Sequence, residues 1–169
     1  MKKTPAALVS FGGMMAAIAL VIMNLVGIIP VATFVCPMLC MMILTLVLRF
    51  CGHRIGLAWY GAVAILSVLL APDKEAAAIF VFLGYYPLLK PGFDKLRGGV
   101  LLKLVFFNLV ILLMYWLLIN LFGLAQVAQE YRELGIAMTA VTLLMGNMIF
   151  YLLDKILGRI AIMEKWGRK

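Results

Sequence analysis

Long apolar runs, separated by short clusters of charge, decide what this chain can fold into. Six segments approach the roughly 20 mostly apolar residues that a helix needs to cross about 30 Å of hydrocarbon. They cover about 6–28, 31–48, 55–71, 76–89, 100–124 and 134–153. Each is apolar all round, with no two-residue alternation, so helices are preferred over the strands of an outer-membrane barrel. With 66% hydrophobic residues, the helices lack the polar faces that water would require. The sequence predicts an all-α membrane protein, with six transmembrane helices in one compact integral membrane domain over 1–169. The connections are too short for a soluble domain. The third and fourth segments are short and separated only by Pro72, Asp73, Lys74 and Glu75, so a re-entrant hairpin is the alternative there.

The charges give an orientation. Of 15 Lys and Arg, thirteen fall on one set of connections, Lys103 among them, and only Lys74 and Arg132 on the other. Basic residues stay on the cytoplasmic side, so both termini are expected to be cytoplasmic in a multi-pass protein of a bacterial cytoplasmic membrane. The net charge of +8 then points to anionic lipid headgroups rather than nucleic acid. At 155–169, Ile156, Ile160 and Met163 recur at helical spacing among Arg159, Lys165 and Arg168. A basic amphipathic interfacial helix is one reading of this tail, and a frayed basic end is the other. Met1-Lys2-Lys3 before an apolar run imitates a secretory signal. The run is longer than a signal core, and Thr4-Pro5 reads as an N-cap followed by proline at the first helical position.

Catalytic chemistry is poorly supplied. There is no GxxxxGK[ST] phosphate loop, so uphill transport would need a partner or an ion gradient for energy. His53, the one histidine, reads as a solvated loop residue. Asp73 and Glu75 lack an evident nucleophile or metal to work with. Cys36 and Cys40 share a helical face beside Met38, Met41 and Met42, a soft-ligand set suited to Cu(I). Ordinary apolar packing explains them more simply. Cys51 reads as a reduced loop thiol. No enzyme activity, metal or cofactor is expected.

No charge falls in the middle of a segment, which argues against a proton relay or a voltage sensor. Asn24 and Asn120 lie at the outer ends of the first and fifth segments, level with Asp73, Lys74, Glu75, Gln126, Gln129, Glu130 and Arg132. A polar ligand arriving from outside would meet this ring first. Asn24, Asp73, Lys74, Glu75 and Asn120 are the candidate substrate-binding residues. Asn108 and Asn147, deeper in the fifth and sixth segments, are expected to bond to each other across helices. Small residues recur four apart at Gly12/Ala16, Gly13/Ala17 and Ala58/Ala62, a spacing that lets backbones approach closely. The first segment carries two such stripes, enough for an internal neighbour and an external partner. Near Lys90, Gly84-Tyr85-Tyr86-Pro87 predicts a kinked end to the fourth segment, with Pro87 disturbing the preceding turn.

Taken together, the chain resembles the substrate-binding S components of bacterial energy-coupling factor transporters. The likeness rests on size, six helices, inside termini, short loops and the Gly12, Gly13, Ala16, Ala17 stripes, similar to that family's small-residue signature in helix one. The Pro-Asp-Lys and Gly-Tyr-Tyr-Pro stretches are similar to uncharacterised S-component-like proteins. The resemblance implies capture of a vitamin-like small molecule outside the cell. It also implies docking through Gly12, Gly13, Ala16 and Ala17 onto a transmembrane coupling subunit driven by two cytoplasmic ATPase subunits. It does not identify the substrate. The competing expectation is a structural membrane scaffold of the cell-wall and shape machinery, in which basic loops bind partners and no pocket exists.

Overall fold

The computed structural model describes residues 4–26, 32–95, 99–120, 140–141 and 143–159. The expected segment ends at 27–28, 31, 121–124 and 134–139 lie outside the described residues. So do Lys2, Lys3, Arg97, the outer-ring residues Gln126, Gln129, Glu130 and Arg132, and the tail beyond 159. The described residues are almost wholly helical and contain no strand. The helices are α1 (Pro5–Leu25), α2 (Ala32–Cys51), α3 (His53–Leu70), α4 (Lys74–Leu83), α5 (Tyr86–Phe93) and α6 (Gly99–Asn120). A further helix, α7, occupies residues 143–159. They group into two compact units, Met1–Gly92 and Phe93–Lys169.

Among the described residues, five stretches are long and apolar enough to cross a membrane: Ala6–Leu25, Ala32–Cys51, His53–Leu70, Lys74–Phe93 and Gly99–Leu118. Their outward residues are the large apolar ones. Val9 is 65% exposed, Leu69 68% and Leu101 70%. Exposed apolar surface on this scale fits a lipid solvent, as a multi-pass membrane protein has, and would drive aggregation in water.

In the first unit, α1 begins as its sequence predicts, with Thr4 at the N-cap and Pro5 in the first turn. The Thr4 side chain makes no capping bond, so the start rests on the fixed φ of proline. Gly52 alone separates α2 from α3, at φ 87°. That left-handed value is natural for glycine and strained for other residues. α1 and α2 run antiparallel, since Leu8 meets Cys51 while Ala19 meets Cys40. The core between the helices is dense in sulfur and aromatic rings: Met23, Cys40, Met41, Phe80 and Tyr86 are all fully buried. In lipid such contacts hold helices together by close van der Waals packing rather than by expulsion of water.

The fourth segment is broken, as expected, but by a different device. The α4 helix ends at Leu83, and Gly84 and Tyr85 form a turn before α5. A Cβ on Gly84 would lie 2.9 Å from the Tyr60 ring and 2.3 Å from the Phe80 carbonyl. The Tyr60 hydroxyl donates to the Val81 carbonyl, occupying a carbonyl of the last turn of α4. Pro87 is the second residue of α5, where its missing N–H costs nothing. The break therefore belongs to Gly84 and Tyr60, and Pro87 helps to start the next helix.

The second unit is an antiparallel pair. Lys103, Phe107, Ile111, Met114 and Leu118 form the buried row of α6, three or four residues apart and so on one face. Opposite Phe107 stands Phe150 of α7, rings stacked with centroids 4.7 Å apart. The expected amide pair is present. Asn108 Nδ2 donates to Asn147 Oδ1 at 2.9 Å, and Asn147 Nδ2 returns a bond to Asn108 Oδ1 at 3.0 Å. Each amide also donates to the carbonyl one turn back, Leu104 or Leu143, at 2.8 Å. Both N–H groups of each side chain are thus used. α7 continues past 153 without a break, so Lys155 and Arg159 belong to the same helix as Asn147.

Candidate functional site

The predicted binding residues divide between structural work and open chemistry. Asp73 is the N-cap of α4. Its Oδ1 accepts from the backbone N–H of Glu75 at 2.8 Å and of Ala76 at 3.2 Å, satisfying two donors that a helix start leaves orphaned. Its Oδ2 accepts from the Thr33 hydroxyl of α2 at 3.1 Å. Lys74 turns the other way, and its Nζ donates to the carbonyls of Val68 and Ala71 at 2.9 and 3.0 Å. A carboxylate therefore caps the helix that begins, and an ammonium caps the helix that ends. Each sits at the dipole end that favours its charge. Glu75 is half-buried in the first turn of α4.

Beneath this corner Val26, Ala32, Cys36 and Ala76 form an apolar cluster with Ile22 packed on it. The cluster brings the end of α1 and the starts of α2 and α4 to one end of the unit. Asn24 is at that end, exposed, with its amide bonded to Leu20 O of its own helix at 2.9 Å. Asn24, Asp73, Lys74 and Glu75 thus share one end of the first unit. Asn120 closes α6 in the second unit, and its side chain lies outside the described residues. Thr33 was not among the sequence candidates. Pro37, one turn later inside α2, has no N–H to offer the Thr33 carbonyl. This end therefore carries acceptors in Asp73 Oδ2 and in the Thr33 hydroxyl and carbonyl. A ligand held here would need hydrogen-bond donors or positive charge.

The predicted docking residues also divide. The Gly12 carbonyl accepts from Trp59 Nε1 at 3.0 Å, and a Cβ there would sit 3.8 Å from Ile55. Gly12 is buried, Ala16 half-buried, and Gly13 and Ala17 are exposed. Cys51 and Cys40 donate weak S–H bonds to the Leu8 and Ala19 carbonyls, each at 3.4 Å. One side of α1 is therefore fastened to α2 and α3 through its own backbone. On its free side, Val9, Gly13, Ala17 and Val21 form a row of four-residue steps. The outer members are 65% and 62% exposed, and nothing lies within 4 Å of a Cβ built on Gly13. The row is a shallow notch between two valines.

A third cluster escaped sequence reasoning. Lys103, counted there with the loops, is buried on α6. Its ammonium pairs with Asp94 and, at 3.0 Å, with Asp154 of α7. Asp94 is nine residues away across the start of α6 and Asp154 is 51 away, and the lysine stands just inside an apolar run. The one available signal was that a cation in such a place calls for a carboxylate. Among the described residues, no group of three or more His, Cys, Asp or Glu is placed to hold a metal ion. Compared with known protein families, curated proteins and solved structures, the chain matches none.

Proposed function

We propose that this chain is the substrate-capturing membrane subunit of an energy-coupling factor type importer for a vitamin-like micronutrient. In this reading it crosses the bacterial cytoplasmic membrane six times with both termini inside. The observation that carries the reading is the two-sided α1. One face is fastened by backbone acceptors at Leu8, Gly12 and Ala19. The other presents Gly13 and Ala17 as an open notch of the kind that admits another helix at close range. A transmembrane coupling subunit would seat there, with energy from its two cytoplasmic ATPase subunits.

Capture takes place at the opposite task's surface, the polar end of the first unit. Asn24, Asp73, Lys74 and Glu75, joined by Thr33, offer the hydrogen bonds. The charge distribution supports the orientation. Arg49 and Arg54 are exposed on either side of the Gly52 turn, while Lys74 is at the far end of α3. Binding and hand-over, without catalysis, are the whole task of the chain.

The test is affinity co-purification of the coupling subunit with Gly13→Leu/Ala17→Leu, alongside native mass spectrometry for a retained small molecule. The expected result is at least a tenfold loss of the coupling subunit with the small molecule still bound. Gly12→Leu instead disturbs the α1–α3 packing and destabilises the subunit itself. Undiminished assembly of the Gly13/Ala17 variant would remove the basis of the reading.

A further inference from the structure

Two Asp-Lys dipeptides, Asp94-Lys95 and Asp154-Lys155, meet at one buried ammonium. Lys103 is 6% exposed, and its Nζ reaches Asp94 Oδ1 and both Asp154 oxygens, the latter at 3.1 and 3.0 Å. Both carboxylates are drawn to one point between the start of α6 and the end of α7. Their chain neighbours Lys95 and Lys155 are exposed beside it, and Arg159 is exposed one turn further along α7. None of these three cations pairs with a carboxylate among the described residues. The buried lysine thus holds both acids, Asp154 largely covered and Asp94 with its side chain 46% exposed, while three exposed cations outnumber them at this end of the unit.

We propose that this surface binds the phosphate of an anionic phospholipid, held between Lys95, Lys155 and Arg159. Charge complementarity selects the anion. The apolar flank selects a lipid over an acidic protein segment: Leu152 and Ile156 are exposed on the same face of α7 as Arg159, at steps of four and three residues. A diacyl lipid satisfies both parts, with its headgroup at the helix end and its chains along the two aliphatic residues. The proposal requires only that α6 and α7 lie in a bilayer. It is independent of the transport reading.

The experiment compares wild type with Lys95→Gln/Lys155→Gln/Arg159→Gln, each reconstituted in mixed phosphatidylglycerol–phosphatidylcholine nanodiscs. Lipids retained after transfer to detergent are counted by native mass spectrometry. All three positions are exposed, and gel-filtration elution with helical circular dichroism verifies the fold of the variant. Each surface cation near an anionic headgroup is worth roughly fivefold, so the triple variant should bind phosphatidylglycerol on the order of a hundredfold more weakly. The difference should shrink as salt is raised. Equal retention by variant and wild type overturns the proposal. So does a wild type that retains phosphatidylcholine as well as phosphatidylglycerol. A variant that keeps its lipid but loses a co-purifying acidic protein overturns it in favour of that partner class.

Discussion

The Asp73 carboxylate touches two helices at once, capping α4 and bonding Thr33 of α2. Replacing it removes an N-cap and strands a half-buried hydroxyl. Asp73→Ala is therefore expected to destabilise the protein by about 1–2 kcal/mol. Asp73→Asn should cost less, because an amide oxygen still caps. Thermal unfolding in detergent, followed by helical circular dichroism, measures both. If a ligand is also held here, Asp73→Asn should weaken its retention more than it lowers the melting temperature. The place of Asp73, Lys74 and Glu75 at one polar corner was legible from Pro72 and the charge cluster between two apolar runs. Their detailed duties were not. Thr33 is 40 residues away, and Lys74 serves the preceding helix by reaching back to Val68. Such links depend on how helices pack, which local pattern does not specify.

At the scale of elements, α6 and α7 are joined by a polar seam inside apolar surroundings. Its two parts differ in how they could be foreseen. Asn108 and Asn147 stand alone in long apolar runs, where an amide without a partner is costly, so their pairing followed from the solvent. Lys103 sits near the mouth of its run and passed for a loop cation, because hydropathy alone cannot tell an edge residue that points out from one that points in. The energetics separate the two as well. Asn108→Ala, Asn147→Ala and the double variant should give a coupling of about 0.6 kcal/mol, and no more than about 1.7. Lys103→Met leaves Asp154, 18% exposed, without its ammonium, while the half-exposed Asp94 can turn to solvent, and a loss of about 1–3 kcal/mol is expected. Lys103→Met combined with Asp94→Asn and Asp154→Leu should recover most of it, since replacing the buried part of an ion cluster by apolar groups is close to neutral. Chemical unfolding in mixed micelles distinguishes these cases. A single Lys103→Met variant as stable as wild type would show that the cluster contributes nothing to the α6–α7 contact.

The whole molecule turns on which ends of its helices face the cytoplasm. The structure gives the first unit two distinct ends. One carries Asn24, Thr33 and the Asp73–Glu75 corner, and the other carries the Gly52 turn between Arg49 and Arg54. The proposed reading puts the second of these inside on the strength of its basic residues, and the capture reading fails if that orientation is reversed. Two exposed positions mark the ends, Pro72 and His53. In a Cys51→Ala background, with Cys36 and Cys40 buried, Pro72→Cys should react with a membrane-impermeant maleimide added to intact cells. His53→Cys should react only after the membrane is opened. Labelling of His53→Cys from outside, with Pro72→Cys protected, would turn the polar end toward the cytoplasm. The same chain would then have to be read as a protein that offers its acceptor cluster to cytoplasmic partners, and the notch on α1 would lose its meaning as the seat of an importer's coupling subunit.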